Sequence, residues 1–407
     1  MVQEEFKVYG YRWVILFVYF LLNALMQMQW ITFAPITSEA VAYYGVPAIK
    51  IDLLSLIFMI VYIFVSIPAS YIVDTKGIRF GIGIGACLLG VFGFMKGYYA
   101  ASYEMVVLAQ IGIALGQPFV LNSVTKVGVR WFPLSERATQ VGISVLAQFV
   151  GIIFAMAATP YLLKKYGMEN MLMFYGVAAL LGSAVFLILN KEHPPTPPCL
   201  DGHDERISFF AGIKHIFQQR DMIFLLIIFF SVLGIFNAVT TWVEQIIRPR
   251  GFNIEQAGMI GAAMMLGGIF GAALIPMLSD KLQKRKIFLV ITMLFSIPGL
   301  TGLAFAASYS CLMISSLVFG FFLMAGGPIG FQYSAEICYP APEATSQGLI
   351  MLAGQISGII YVFGMDILTQ EGSSKTPAMI LFILMMFINV LLTMKLGESK
   401  MIKTDNG

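Results

Sequence analysis

Twelve apolar runs, each long enough to cross a lipid bilayer, leave this chain almost no soluble way to fold. They lie at about 12–35, 52–73, 80–99, 104–129, 138–160 and 170–190, then at about 221–246, 255–278, 286–306, 311–337, 344–367 and 376–395. A span of the hydrocarbon core needs about 20 apolar residues. In lipid such a run satisfies its own backbone polar groups only as a helix. Composition agrees: 58% of residues are hydrophobic and 12% charged, against about 45–50% and 25% in soluble domains. This excludes a disordered chain, a nucleic-acid module and an ordinary soluble enzyme. The net charge of +3 is too small for a polyanionic partner.

The polar stretch 191–220 divides the runs six and six. It begins KEHPPTPPCLDGHDER and reads as a linker. Its second half, ISFFAGIKHIFQQ, is amphipathic and suited to the membrane surface. The expected domains are therefore 1–190, linker 191–220, 221–398 and a tail, 399–407. The first run is too long for a cleavable leader's core and is expected to stay as a helix. With the N-terminus in the cytoplasm, lysine and arginine divide about 18 inside to 7 outside, as the positive-inside rule requires. Both termini and the linker are then cytoplasmic. Lys96 falls among the outer seven.

The halves are related. WFPLSERATQVGISVLAQFVGII from Trp131 and CYPAPEATSQGLIMLAGQISGII from Cys338 coincide at several positions when shifted by 207. Pro133, Glu136, Gln148 and Gly151 then meet Pro340, Glu343, Gln355 and Gly358. The loops after the second and eighth runs also match at nearly that offset, Asp74 and Arg79 against Asp280 and Arg285. The expected fold is an all-α integral membrane protein with twelve transmembrane helices in two pseudo-symmetric six-helix bundles.

Catalytic chemistry has little to stand on. Cys87, Cys199, Cys311 and Cys338 form no CxxC pair and read as small hydrophobes. His193, His203 and His215 all fall in the linker region, so the spans hold no histidine for a metal, a haem or a nucleophile–base pair. No enzyme, cofactor or metal is expected.

The loop SYIVDTKGIR keeps Asp74, Gly77 and Arg79 of the pattern G-x-x-x-D-R/K-x-G-R-R, and PMLSDKLQKR keeps Asp280, Lys281 and Arg285. With the six-plus-six plan, this resembles the major facilitator superfamily. NALMQMQWITFAPI, GQPFVLNSVTKVGVRWFP, GIFNAVTTWVEQ and SAEICYPAPEATSQGLIMLAGQISG resemble one branch, the feline leukaemia virus subgroup C receptor-related transporters of choline, ethanolamine and haem. The resemblance implies transport by alternating access, with substrate near the midplane and spans one, four, seven and ten facing it. It implies Trp30, Gln117 and Gln355 as an aromatic and two amides lining the cavity. Gln29, Asn237 and Tyr333 join them as binding candidates, although that branch has an aromatic where Asn237 stands. A tryptophan face holds a quaternary ammonium by cation–π attraction. Trp242 or Tyr333 could supply a second wall, although Trp242 reads more readily as an interfacial anchor. The competing reading of every buried amide is helix-to-helix glue.

Charges sharpen the expectation. No ionisable residue lies at the centre of spans one, four, seven or ten, which favours a facilitator over a proton symporter and disfavours anionic cargo. Glu244 at an outer rim could attract a cation. Asp74, Arg79 and Glu343, with Asp280, Arg285 and Glu136, form a candidate gate, each aspartate facing a helix N-terminus. The expected protein is a monomer in a plasma or bacterial inner membrane. Its partners are a small-molecule substrate and the bilayer, with no nucleic acid. Broad export of metabolites or drugs and haem transport stay open as alternatives, while the kept aspartates and the intact repeat argue against a receptor that has lost transport.

Overall fold

The computed structural model describes residues 7–198, 209–252, 254–368 and 375–399. Thirteen α-helices account for nearly all of them: α1 (Arg12–Ile31), α2 (Thr37–Tyr44), α3 (Ala48–Tyr98), α4 (Tyr103–Leu121), α5 (Val124–Trp131), α6 (Arg137–Leu189), α7 (Phe209–Gln218), α8 (Arg220–Ile247), α9 (Ile254–Leu282), α10 (Lys286–Phe305), α11 (Tyr309–Ile337), α12 (Glu343–Leu368) and α13 (Thr376–Met394). Ten segments are long and apolar enough to cross a membrane. Two of these are hairpins, α3 turning at Gly77 and α6 at Gly167, so the described residues hold twelve crossing segments.

The hairpin at Gly77 is tighter than hydropathy suggests. Helix runs through Asp74 and Lys76, and only Gly77 leaves it, at φ 89° and ψ 173°. That φ favours glycine over any residue with a Cβ. Val73 Cα lies only 2.9 Å from where a Cβ on Gly81 would sit, whereas eight residues of straight helix rise about 12 Å. The Glu192 carboxylate fills the space any side chain at 77 would need. It accepts the amides of Ile78 (3.1 Å) and Arg79 (2.7 Å), the exposed donors of the second helical segment. In the second half α9 and α11 touch backbone to backbone: a Cβ on Gly271 would collide with the Phe321 carbonyl.

The chain clusters into two compact units. Unit 1 is Met1–Leu134, Ile143–Glu205 and Glu343–Gly348; unit 2 is Ser135–Gly142, Arg206–Pro342 and Leu349–Gly407. The first residues of α6 thus count with unit 2 and the first turn of α12 with unit 1. The amphipathic stretch of the linker region forms α7, which buries Gly212 and Ile216 and exposes Phe210 and Phe217. Cys199 and His203 lie outside the described residues, as do the side chains of Glu244 and Asp366.

Structure corrects the register of the repeat from 207 to 206. Helix ends recur at 206: α4 and α11 begin at Tyr103 and Tyr309, α5 and α11 end at Trp131 and Ile337, and α6 and α12 begin at Arg137 and Glu343. Ser102 and Ser308 cap α4 and α11 through Met105 N and Cys311 N. Glu343 is therefore the counterpart of Arg137, not of Glu136. Along the uninterrupted helices Gln355 matches Phe149, not Gln148. Conserving an identical residue and conserving a position are different things, and the identities misled by one.

Candidate functional site

The aspartates after the second and eighth crossings occupy the same kind of socket. Asp74 accepts the amides of Ala344 (3.2 Å) and Thr345 (2.9 Å) and the Thr345 hydroxyl (2.6 Å). Asp280 accepts the amides of Ala138 (3.3 Å) and Thr139 (2.6 Å) and the Thr139 hydroxyl (2.7 Å). Each carboxylate meets the free N–H groups of a helix start, where the backbone dipole favours a negative charge. All these contacts lie within one unit, the first in unit 1 and the second in unit 2.

The cations differ. Lys126, on α5, reaches the Asp74 carboxylate at 3.3 Å and the carbonyls of Val73 and Asp74 at 3.0 and 2.8 Å. Arg285 bonds Asp280 and also spans to Glu336, whose Oε1 it meets through Nε and Nη2 at 3.2 and 3.1 Å. Gln332, the counterpart of Lys126, donates to that same Glu336 oxygen at 3.0 Å. Burial works against the Arg285 charge, but Glu336 and Asp280 outweigh it and hold its pKa above the ordinary value. Arg79 is placed differently from its repeat mate: its amide bonds Glu192, and its side chain is exposed. Glu343 contributes its carbonyl, to the hydroxyls of Thr125 and Ser346. Glu136 sits in a short 3-10 turn before α6.

A second repeated carboxylate is not evident from the sequence alone. Glu398 accepts the amides of Arg285 (2.7 Å) and Lys286 (3.2 Å), as Glu192 does for Ile78 and Arg79. The two are 206 apart, each just after the last helix of its half. That spacing was the available signal, hidden because a glutamate in a polar stretch reads as solvated.

The binding candidates separate into committed and uncommitted groups. Gln29 is fully buried and donates to the Tyr175 carbonyl at 2.9 Å. Tyr333 is fully buried, and its hydroxyl donates to the Gly397 carbonyl at 2.7 Å. The Tyr333 hydroxyl and the Gln29 N–H are spent on packing within their units, because a buried donor takes the nearest carbonyl, while Gln29 Oε1 is buried without a partner. Trp30 is half-buried, its indole N–H tethered to the Ser55 carbonyl at 3.1 Å. Gln117 is buried and its amide has no hydrogen-bond partner among the described residues. Gln355 Oε1 is likewise buried without a partner. Asn237 is half-buried beside Gly358. The Trp242 ring already carries the Lys375 ammonium, 4.3 Å from its centroid, so it is not a free wall.

Lys96 lies in the last turn of α3. It is fully buried, donating to the Gln29 carbonyl (3.2 Å), the Gln110 side chain (3.2 Å) and the Thr32 hydroxyl (3.4 Å). These neutral acceptors tie α3 to α1 and α4. Asn122 is also structural: it accepts from Tyr62 and donates to Ser66 and Ser70, bridging the break between α4 and α5.

A model of the Major Facilitator Superfamily matches residues 15–362. The chain is 30% identical over 389 residues to solute carrier family 49 member A3 of Danio rerio, covering 91% of this chain and 81% of that one. It is 27% identical over 404 residues to the choline/ethanolamine transporter FLVCR1 of Felis catus, covering 94% and 72%. Among solved structures, the superfamily transporter FucP in its outward conformation superposes with a TM-score of 0.78 at 14% identity, covering 95% and 99%. The xylose symporter XylE reaches 0.75 at 16% identity, covering 96% and 97%. At these identities the solved structures speak for the fold.

Proposed function

The chain belongs to the Major Facilitator Superfamily of transporters, and on that premise we propose a small organic cation, of the choline or ethanolamine kind, as its cargo. The observation that carries this reading is the Gln355 side chain, whose Oε1 is buried without a partner. A buried polar group without a partner costs roughly 1–3 kcal/mol in a protein. A fold keeps such a group at that cost when something else fills it. Amide oxygens suit a hydroxyl or the polarised edge of an ammonium, and the half-buried Trp30 ring suits the cation itself. The donors of Lys96 are spent, so it offers nothing to an anion. A relative named for choline and ethanolamine aligns over nearly the whole chain.

Movement is by alternating access, without proton coupling. Asp74 and Asp280 act as clasps on the first turns of α12 and α6, and their release accompanies the conformational change. The protein is a monomer in a plasma or bacterial inner membrane, with both termini in the cytoplasm.

Asn237 favours a second reading, in which the cargo is a neutral metabolite. An asparagine supplies no π face, and the Trp242 face already holds Lys375.

Uptake of labelled choline into liposomes containing the purified protein separates the readings. Saturable uptake that falls at least tenfold with Trp30→Ala supports the cation cage. Uptake equal to that of empty liposomes, with transport of a neutral solute intact, overturns it.

A further inference from the structure

The helical segments 78–98 and 168–189 are zipped together over most of their length. Gly97 lies against Met173, Gly93 against Ala179 and Gly90 against Ser183. Toward Gly77 the zip opens. Gly83 meets only Leu187, whose methyl lies 3.6 Å from where a Cβ on the glycine would sit, and beyond it lies a groove of about 740 Å³. Its walls change character along their length. Gly83, Ile84, Cys87 and Leu187 make an apolar trough, while Lys76, Arg79, Asn190 and Glu192 make the polar end.

That polar end is uncommitted. The Lys76 and Arg79 side chains are exposed and have no partner among the described residues. Glu192 keeps its negative charge, turned onto the helix amides of Ile78 and Arg79 that it accepts, so with Lys76 and Arg79 the polar end carries a net charge of +1. Asn190 is 2% exposed, and neither its Oδ1 nor its Nδ2 has a partner. The fold does not require an amide there: 206 residues on, the same place is held by the buried Leu396. An apolar side chain satisfies the packing in one half, so the unpaired amide in the other half serves a different purpose.

We infer that this groove binds an anionic phospholipid. Its phosphate lies on Lys76, Arg79 and the Asn190 amide, and an acyl chain runs along Gly83, Ile84, Cys87 and Leu187. Two cations and an amide donor match a phosphodiester, and the trough matches a hydrocarbon chain at the depth where the spans begin. The lysine and arginine distribution places this end in the cytoplasmic leaflet, which carries the anionic lipids. The site lies entirely within unit 1 and is separate from Trp30 and Gln117.

Native mass spectrometry of the full chain, released from detergent with added lipid, tests this. The wild type should retain phosphatidylglycerol roughly tenfold or more better than phosphatidylcholine, since each basic residue near an anionic headgroup contributes about fivefold. Lys76→Gln with Arg79→Gln should abolish the preference. Asn190→Leu, which copies the residue of the other half and so keeps the packing, should weaken it several-fold. Maleimide labelling of Cys87 gives a second readout, slower in phosphatidylglycerol nanodiscs than in phosphatidylcholine ones for the wild type, less so for Asn190→Leu, and equal in both for Lys76→Gln with Arg79→Gln. Equal retention of the two lipids overturns the proposal. So does a preference that survives both sets of substitutions. Displacement of phosphatidylglycerol by an equal concentration of inorganic phosphate makes this a free-anion site and overturns it as well.

Discussion

The two aspartate sockets share their acceptor geometry to the atom and differ in how the charge is held. In unit 1 one carboxylate, Asp74, meets one cation, Lys126, which arrives from α5. In unit 2 two carboxylates, Asp280 and Glu336, share one guanidinium, Arg285, from the loop five residues beyond the aspartate. The amide of Gln332 stands where Lys126 would be. The repeat thus keeps the contact of carboxylate to helix start and lets the counter-ion differ. A point charge on a flexible stem suffices for one carboxylate. A planar fork is needed to serve two.

This difference sets the largest expected effect. Arg285→Ala leaves two buried carboxylates facing each other and should cost about 3–5 kcal/mol, seen as a large fall in the thermal midpoint in detergent. Lys126→Ala leaves Asp74 with its two amides and a hydroxyl, so about 1–3 kcal/mol is expected. Equal losses would mean that the sockets are electrostatically alike after all. The next effect is smaller and should be symmetric. Glu192→Gln and Glu398→Gln each remove a charge from a helix start, worth about 0.3–1 kcal/mol; a difference beyond that range between the two would break the repeat at this position. The smallest contrast separates packing from cargo. Tyr333→Phe should lower stability by about 1 kcal/mol and leave the KM for choline unchanged, whereas Gln117→Ala should raise KM without destabilising the protein. Titrated uptake and unfolding curves on the same preparations decide it.

Crossing segments and their grouping into sixes were legible because hydropathy is a property of each run by itself. The turn at Gly77 was placed loosely, since Asp74 and Lys76 look like loop residues although they sit in helix. The repeat was legible in kind but not in register. Matching identities drew Glu136 to Glu343, while the atoms pair Thr139 with Thr345. Candidate site residues were legible only as a class. Nothing in the sequence tells the amide of Gln29, which finds Tyr175, from that of Gln117, which finds no partner. The distinction depends on which carbonyl lies within 3 Å, and neighbours far apart in sequence decide that.

Gly77 and Gly167 each reverse the chain in a single residue outside helical geometry. No loop remains at either point to absorb a sliding motion. Neither helix of such a pair can travel along the other without unwinding at its glycine, so 48–76 with 78–98, and 137–166 with 168–189, behave as stiff levers. A side chain at residue 77 would meet both a φ of 89° and the Glu192 carboxylate, and would loosen the first lever at its fulcrum.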